Sequence, residues 1–395
     1  MTRSSFRPAF VAVSAVIALL FLAEPSTASA DTYTVDMFAD TSPSVQCTAA
    51  PNDCSLRGAI RKANTAPGGP HTVYVPNGTY TLSSVSGELI VLKSMTIRGA
   101  GGTVIIQAAL FPGVATNRVL RVDSGTLTLA NVEIRHGAAS FAGGGINVQP
   151  GATLVGLRIL VKANRAVLPG HDGQGGGISN YGTVTLSRSA IIDNTADYGG
   201  GLLVWPGGNA TLTNTTVSGN RGLQYGGSGV FARHNSTVTL DSVTVYQNQV
   251  SSPTALTHAG GVYSYSEQNA SPVANVTIKN SVIAANTYSG GIWNCAGTTI
   301  TSQGNNLSDS TECPFTTGVN GDEEGVPVSL GALQNFSPQV VGHLPSVGSK
   351  AIDTATYAGA ACQALDQRNS ARPQDGNGDG QAICDKGAIE RKSTD

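Results

Sequence analysis

Three short patterns recur in the same order from about Gly125 to about Leu307 of this 395-residue chain. Glycines lead into an aliphatic residue, as where Gly143–Gly145 precedes Ile146. An alternating stretch such as Thr183–Leu186 follows, and then an aliphatic residue shortly before an asparagine, as in Ile191 and Asn194. Because one short unit is repeated, the sequence predicts units that stack on one another and share one core.

The alternation predicts the shape of each unit. Threonine alternating with leucine, valine or isoleucine is the period of a strand with one buried face, and glycine clusters supply turns that need positive φ. Stacked coils would pile the aliphatic residues into a core and the asparagines into a column that satisfies turn backbone. We therefore predict an all-β, right-handed parallel β-helix. The alternative, a β-propeller, needs about 40 residues and four strands per blade, against about 27 residues per unit here.

The open ends of such a stack need caps, because unpaired strands would recruit other chains. Residues 52–64 predict a short amphipathic helix over the first coil, with Asp53 or Ser55 as N-cap and an apolar face of Leu56, Ala59, Ile60 and Ala63. We expect the regular coils to span residues 125–310. Residues 31–124 would form the N-terminal cap and first coils, and residues 311–395 a loop-rich, disulfide-stapled C-terminal cap of the same domain.

The N-terminus predicts export. Arg3 and Arg7 precede an apolar run over residues 9–23, and small residues follow up to Ala30, which is typical of a signal peptide spanning residues 1–30. We expect the mature protein to be secreted, extracellular and monomeric, with no membrane insertion. Charged residues make up 12% of the chain and the net charge is −2, so nothing attracts it to nucleic acid.

The chain has six cysteines, which in an exported protein favour disulfides over metal sites. Many pairings are compatible with the sequence. Local closure is the simplest for units that contact only their neighbours, and it would join Cys47 to Cys54, Cys295 to Cys313, and Cys362 to Cys384.

Two segments resemble a class of exported bacterial proteins. The run from Cys54 to Ile60, followed by Ala63 and Asn64, resembles the CSLREA motif, with Gly58 where that motif has glutamate. The tail is similar to the choice-of-anchor Q domain in the segments Leu330–Gln334, His343–Pro345, Gly348–Asp353, Asp366–Arg368, Arg372–Pro373 and Cys384–Glu390. The glycine turns also resemble those of pectate-lyase-like enzymes and polymorphic outer-membrane adhesins. These resemblances imply a β-helix fold and an extracellular location, but they imply no particular reaction.

Residues just after the glycine turns predict a binding surface. If Ile146, Ile178, Leu202, Val230, Val262 and Ile292 point inward, two outward columns follow: Asn147, Ser179, Leu203, Phe231, Tyr263 and Trp293; and Gln149, Tyr181, Trp205, Arg233 and Tyr265. Aligned aromatic rings could hold an extracellular polysaccharide or a cell-surface glycan. The alternative is that a loop covers the rings or that they stabilise the sheet as a cross-strand ladder.

A second outward surface carries the catalytic candidates Glu133, Arg135, His136, Asp193 and Tyr246. Such groups would suffice for a polysaccharide lyase or a glycoside hydrolase. The alternative is ordinary surface charges that pair between coils, for example Glu133 with Arg158. The loop residues His171, Asp172 and His258 are further candidates, although loop histidines are usually solvated.

One tail segment has oxygen-bearing side chains at alternate positions, as calcium loops do: Asp375, Asn377, Asp379 and Gln381, with Asp385 following. A structural calcium ion is one interpretation and a polar turn is the other, since Lys386 stands where an EF-hand has its last glutamate.

The leading functional hypothesis is a secreted protein that binds an extracellular polysaccharide along its aromatic face, with cleavage as an open extension. The competing hypothesis is a non-enzymatic adhesin-like or cell-surface structural protein. A fold alone cannot separate them, because function depends on sites.

Overall fold

The computed structural model describes residues 29–40, 46–167, 172–251, 258–267, 270–297 and 299–395. Apart from residues 29 and 30, the predicted signal peptide lies outside these ranges, as does His171. The described chain winds into parallel coils, which confirms the predicted β-helix.

The largest sheet has 17 strands in two rows, which we call the threonine row and the asparagine row. The long strands Thr126–Arg135 and Thr153–Lys162 run through both rows and join them. The threonine row also contains Thr32–Thr34, His71–Val75, Met95–Gly99, Thr183–Ser187, Asn209–Thr213, Thr237–Asp241, Asn275–Lys279 and Ile300–Ser302. The asparagine row also contains Gly78–Thr81, Val104–Gln107, Ala190–Ile192, Thr216–Ser218, Thr244–Tyr246, Val282–Ala284 and Leu307–Ser308.

Two further sheets close each coil. The glycine-turn sheet consists of Leu89–Val91, Leu120–Val122, Ile146–Val148, Ile178–Asn180, Leu202–Val204, Val230–Arg233, Val262–Tyr265 and Cys295–Gly297. The short sheet consists of Ala138–Ala139, Arg165–Ala166, Thr195–Tyr198, Arg221–Tyr225, Gln249–Val250, Thr287–Tyr288 and Gly291–Ile292. A separate two-stranded sheet in the tail pairs Gln334–Ser337 with Val340–Gly342.

The core follows from the register. Val184, Ala210, Val238 and Val276 face one another in successive strands of the threonine row and are almost completely buried. One continuous apolar column therefore runs along the axis, as the alternation of residue types predicts.

Asparagines hold the corner that follows the asparagine row. Asn194 Nδ2 donates to Asn220 Oδ1 over 3.0 Å, and Asn220 Nδ2 donates to Asn248 Oδ1 over 2.9 Å. The same acceptor oxygen of Asn220 also binds the backbone N–H of Asn194. These residues are fully buried, so the column replaces water as the partner of the turn backbone.

The helix Leu56–Thr65 packs over the first coils. The Ser55 side chain accepts a hydrogen bond from the Gly58 N–H, so Ser55 is the N-cap. Leu56, Ala59, Ile60 and Ala63 are buried, as predicted. Arg57 is also buried because its guanidinium forms two hydrogen bonds with Asp40, at 2.8 and 2.6 Å.

The three disulfides join neighbours in sequence: Cys47–Cys54, Cys295–Cys313 and Cys362–Cys384. The local pairing scheme is therefore confirmed. Phe315, beside the second disulfide, is almost fully buried in the main core and closes the C-terminal end.

The C-terminal tail also turns back along the outside of the asparagine row. Thr216 Oγ1 donates to Gln367 Oε1 over 2.7 Å, and the Ala388 N–H donates to Thr244 Oγ1 over 3.0 Å. Gln339 Nε2 reaches the carbonyl of Gly102 near the front. Within the described ranges, no helix is long and apolar enough to span a membrane.

Candidate functional site

The outer face of the glycine-turn sheet carries the predicted binding residues. Ile146, Ile178, Leu202, Val230 and Val262 are paired in register and fully buried. Side chains alternate along a strand, so the following residue of each strand lies on the outer face. These residues are Asn147, Ser179, Leu203, Phe231 and Tyr263.

The second outward column is a stacked one. The rings of Tyr181 and Trp205 lie 4.8 Å apart between centroids, with 11° between their planes. The Arg233 guanidinium lies 4.9 Å from the centre of the Trp205 ring and 5.9 Å from that of Tyr265. We call Tyr181, Trp205, Arg233 and Tyr265 the aromatic ladder. Its members are half-buried, so their outer edges meet solvent.

Polar contacts fix the ladder in place. Trp205 Nε1 donates to Ser179 Oγ over 3.0 Å, and Arg233 Nη2 forms a 3.0 Å ion pair with Glu267 Oε1. Burial raises the pKa of the Tyr181 hydroxyl, which therefore stays protonated at neutral pH. The ladder thus presents aromatic edges, guanidinium N–H groups and phenol hydroxyls in fixed positions.

Phe231 and Tyr263 are buried, which corrects their prediction as exposed platform rings. Their rings stack on each other at 5.2 Å and form an apolar cluster with Leu203. The cause is a neighbouring turn: a Cβ added to Gly226 would lie 2.7 Å from the Phe231 ring. These residues support the ladder from beneath and do not meet solvent.

Trp293 lies outside the columns, which corrects its assignment to the first column. Val262 pairs with Cys295 instead of Ile292, because Thr287–Tyr288 and Gly291–Ile292 form an antiparallel pair before the coil continues. Ile292 consequently points outward and is 46% exposed, whereas an inward position was predicted. Trp293 is half-exposed beside this insertion.

Sequence reasoning missed Phe141. Its ring centroid lies 6.4 Å from that of Trp205, with 30° between the planes, and the side chain is 51% exposed. Phe141 stands in the loop before the Gly143 turn. The available signal was a large apolar residue in a loop before a glycine turn, equivalent to the loops of His171, Asp172 and His258. Burial lowers the pKa of His258, which lies 5.3 Å from Tyr263.

The catalytic candidates do not lie together in one site. Glu133 forms ion pairs with Arg135 at 3.2 Å and with Lys162 at 3.3 Å, and not with Arg158 as suggested above. Arg158 instead occupies a left-handed corner of its coil. Arg135 and Tyr246 share a column but are four strands apart, which corresponds to about 19 Å at the usual strand spacing.

The tail covers much of that surface. Tyr246 is buried, with its ring 4.7 Å from the ring of His343, and Leu160, Ala190 and Ile192 pack against Val341. His343 is also in contact with Ser218, and its burial lowers its pKa. The outer face of the asparagine row is therefore largely covered by the C-terminal tail.

The two remaining candidates sit at corners beside this row. His136 and Asp193 both have positive φ, and each directly follows a coil strand. Burial lowers the pKa of His136, whose Nδ1 lies 3.1 Å from the carbonyl of Ala109, while Asp193 is exposed. Their coils are two strands apart, which corresponds to about 10 Å.

The proposed calcium segment folds as a polar turn. Asp375 accepts hydrogen bonds from the N–H groups of Gly378 and Gly380, Asn377 accepts from Asp379, and Asp379 accepts from Gln381. Asp385 is buried nearby and takes no part in these bonds. In the part of the chain that the structure describes, no three His, Cys, Asp or Glu residues are grouped to hold a metal ion. Calcium binding stays a prediction.

Comparisons with known proteins concern the fold. Residues 118–307 match the family model described as right handed beta helix region. No curated protein matches the chain. The crystal structure of pectate lyase Pel9A is similar at 15% identity and a TM-score of 0.44, covering 93% of this chain and 98% of that one. The crystal structure of jun a 1, the major allergen from cedar pollen, is similar at 13% identity and a TM-score of 0.38, covering 69% and 71%.

These likenesses are too distant to carry an argument about function. The match over residues 118–307 and the register of the strands agree on the fold. The protein is an all-β, right-handed parallel β-helix.

Proposed function

We propose that this is a secreted protein that binds an extracellular polysaccharide along the aromatic ladder. The observation that carries the proposal is the alignment of Tyr181, Trp205, Arg233 and Tyr265 in successive coils, with their outer edges at the surface. Such a column repeats similar contacts along the axis, which suits a polymer of similar units. Three disulfides are compatible with an oxidising, extracellular compartment.

The chemistry of the ladder fits sugars. Aromatic side chains offer apolar surface, and Arg233 and the tyrosine hydroxyls offer hydrogen bonds, which together match the mixed apolar and hydroxylated surface of a glycan. The contacts of Trp205 with Ser179 and of Arg233 with Glu267 hold these groups in place before a ligand arrives. Preorganisation reduces the entropic cost of binding.

We expect binding without glycoside hydrolysis, and cleavage by a lyase reaction stays an open extension. Glycoside hydrolysis needs two carboxyl groups near one bond. On the described part of this face, Glu88, Asp123 and Glu267 are each ion-paired with an arginine. These pairs leave the carboxylates committed to structural contacts.

The test is a glycan array combined with a product screen on pectin, alginate and glycosaminoglycans. We expect binding to at least one polysaccharide, and loss of that binding in Trp205→Ala. Phe38→Ala is the matched control, since Phe38 is an exposed ring away from the ladder whose centroid lies 5.2 Å from that of Tyr80, with 38° between the planes. Unchanged binding by a folded Trp205→Ala variant would contradict the proposal, and released hydrolysis products would contradict binding without hydrolysis.

A second candidate is an adhesin-like or cell-surface structural rod. One observation favours it: Tyr181 and Arg233 come from the coils on either side of Trp205 and cover both faces of its ring. A ladder of this kind stabilises the sheet whether or not it binds a ligand. Absence of glycan binding by the folded protein would favour this candidate.

A further inference from the structure

The second outward column continues past the aromatic ladder towards the N-terminal end of the coils. Val122 and Val148 are paired in register, so Asp123 and Gln149, which follow them, lie in one column. The Gln149 N–H donates to the carbonyl of Val122 over 2.9 Å, and the Tyr181 N–H donates to that of Val148 over 2.9 Å. Asp123, Gln149 and Tyr181 are therefore successive members of this column, one strand spacing of about 4.8 Å apart.

The extended column runs over six coils without a break in register. Its members, in order, are Asp123, Gln149, Tyr181, Trp205, Arg233 and Tyr265. Five strand spacings correspond to a length of about 24 Å, whereas the aromatic ladder alone spans about 14 Å. The face therefore offers a ligand a strip that is longer than the ladder and polar at one end.

An open cavity lies at the polar end of this strip. It has a volume of about 440 Å³ and is lined by Arg121, Asp123, Gln149 and Pro150. This volume is in the range of small-molecule sites. Gln149 is half-buried, and within the described ranges its side-chain amide forms no hydrogen bond. The amide can therefore donate to and accept from a ligand in the cavity.

A paired arginine and carboxylate form the rest of the polar wall. Arg121 Nε and Nη2 donate to the two carboxylate oxygens of Asp123 over 2.6 and 2.9 Å, and Nη1 donates to Glu88 over 2.6 Å. The Arg121 and Asp123 side chains are 31% and 26% exposed. A guanidinium has more N–H groups, and a carboxylate more acceptor positions, than these bonds use. The pair is thus fixed in place and still able to bind hydroxyl groups, which both donate and accept.

We propose that the glycine-turn face binds an extended linear polysaccharide over six coils, with a sugar residue beyond the aromatic ladder held by Gln149, Asp123 and Arg121. A pyranose residue is about as long as one strand spacing, so successive residues of such a chain meet successive coils. A short glycan can fill the ladder but cannot reach both Tyr265 and Asp123. This inference rests on the proposed function and deepens it, because it selects a linear polymer over short cell-surface glycans.

The test is titration calorimetry with oligosaccharides of increasing length. The probes are size fractions of whichever chain binds most tightly in the product screen on pectin, alginate and glycosaminoglycans. Chains of about four residues fill the ladder, and chains of about six residues also reach Asp123. We expect the longer chains to bind about tenfold more tightly, as one or two added hydrogen bonds would give.

Gln149→Ala separates the polar site from a general effect of chain length. This variant should remove most of the gain from the longer chains and change the affinity for the shorter chains by less than about twofold. Gln249→Ala is the matched control, because Gln249 is an exposed glutamine on the short sheet. It should leave both affinities unchanged.

Three results would overturn the extended site while leaving the ladder in place. They are equal affinity of the two chain lengths for the wild-type protein, a gain with length that persists in Gln149→Ala, and an equal loss at both lengths in that variant. In each case Trp205→Ala should still abolish binding. Failure of every polysaccharide to bind the folded protein would instead remove the proposed function itself.

Discussion

The indole ring of Trp205 lies nearly parallel to the phenol ring of Tyr181, with 4.8 Å between the ring centroids. The two residues follow paired strands, Leu202–Val204 and Ile178–Asn180, so the fold itself sets their spacing. We expect the stack to contribute to stability as well as to binding. A double-mutant cycle with Tyr181→Ala and Trp205→Ala should give a coupling free energy of about 0.5–1.5 kcal/mol in chemical denaturation. If the losses of unfolding free energy in the two variants are additive within about 0.3 kcal/mol, the stack contributes nothing to stability.

The buried asparagine column should be the most sensitive polar feature. In Asn220→Ala, the backbone N–H and the Nδ2 of Asn194 lose their acceptor, and the carbonyl of Ile191 loses its donor. Each unpaired buried group costs about 1–3 kcal/mol, so we expect a loss of unfolding free energy on the order of 3 kcal/mol or more. Asn209→Ala, at an exposed strand position, is the control and should change stability by less than about 0.5 kcal/mol. Equal effects in the two variants would refute the role of the column.

Docking of the tail should depend on Gln367. This buried side chain accepts a hydrogen bond from Thr216 Oγ1 and donates to the carbonyls of Ser189 and Val341. Gln367→Ala removes all three, so the strand Val340–Gly342 should exchange its amide hydrogens faster in hydrogen–deuterium exchange. Gln381→Ala, an exposed glutamine in the tail, is the control. Unchanged exchange in Gln367→Ala would contradict this role of Gln367 in holding the tail.

A buried carboxyl group in the tail predicts a pH dependence. Burial, together with the charge of Glu390, raises the pKa of Asp385 to about 8. The unfolded chain releases this proton near pH 4. Between these values the folded state binds the proton more tightly than the unfolded state does. The contribution of Asp385 to stability is therefore present at low pH and is lost as pH rises from about 4 to about 8.

Asp385→Asn tests this dependence, since asparagine resembles the protonated acid. We expect the wild-type protein to lose more unfolding free energy between pH 5 and pH 8 than the variant does, measured by denaturant unfolding at both pH values. If the two proteins show the same change, Asp385 is ionised in the folded state throughout this range.

Features that depend on local pattern could be predicted from the sequence. The alternation in Thr183–Ser187 predicted a strand with one buried face, and Val184 is indeed buried. The helix after Ser55 followed from its cap residue, and the three disulfides form the simplest of the pairings that the sequence left open. Each of these features needs information from only a few neighbouring residues.

Features that depend on contacts between distant residues could not be predicted. Thr216 and Gln367 are 151 positions apart, and no repeated sequence pattern in the tail predicts that it packs on the asparagine row. Gly290, Gly291 and Ile292 resemble a glycine turn, but they form a hairpin that shifts the register, and so Trp293 was misplaced. The burial of Phe231 depends on a turn of another part of the coil, so alternation alone indicated only its direction.

The most direct test of the account is a crystal structure of the protein with an oligosaccharide identified on the array. We predict that the sugar lies along the glycine-turn face in contact with Trp205 and Arg233. An oligosaccharide bound to the threonine row or to the tail, with the aromatic ladder untouched, would contradict it.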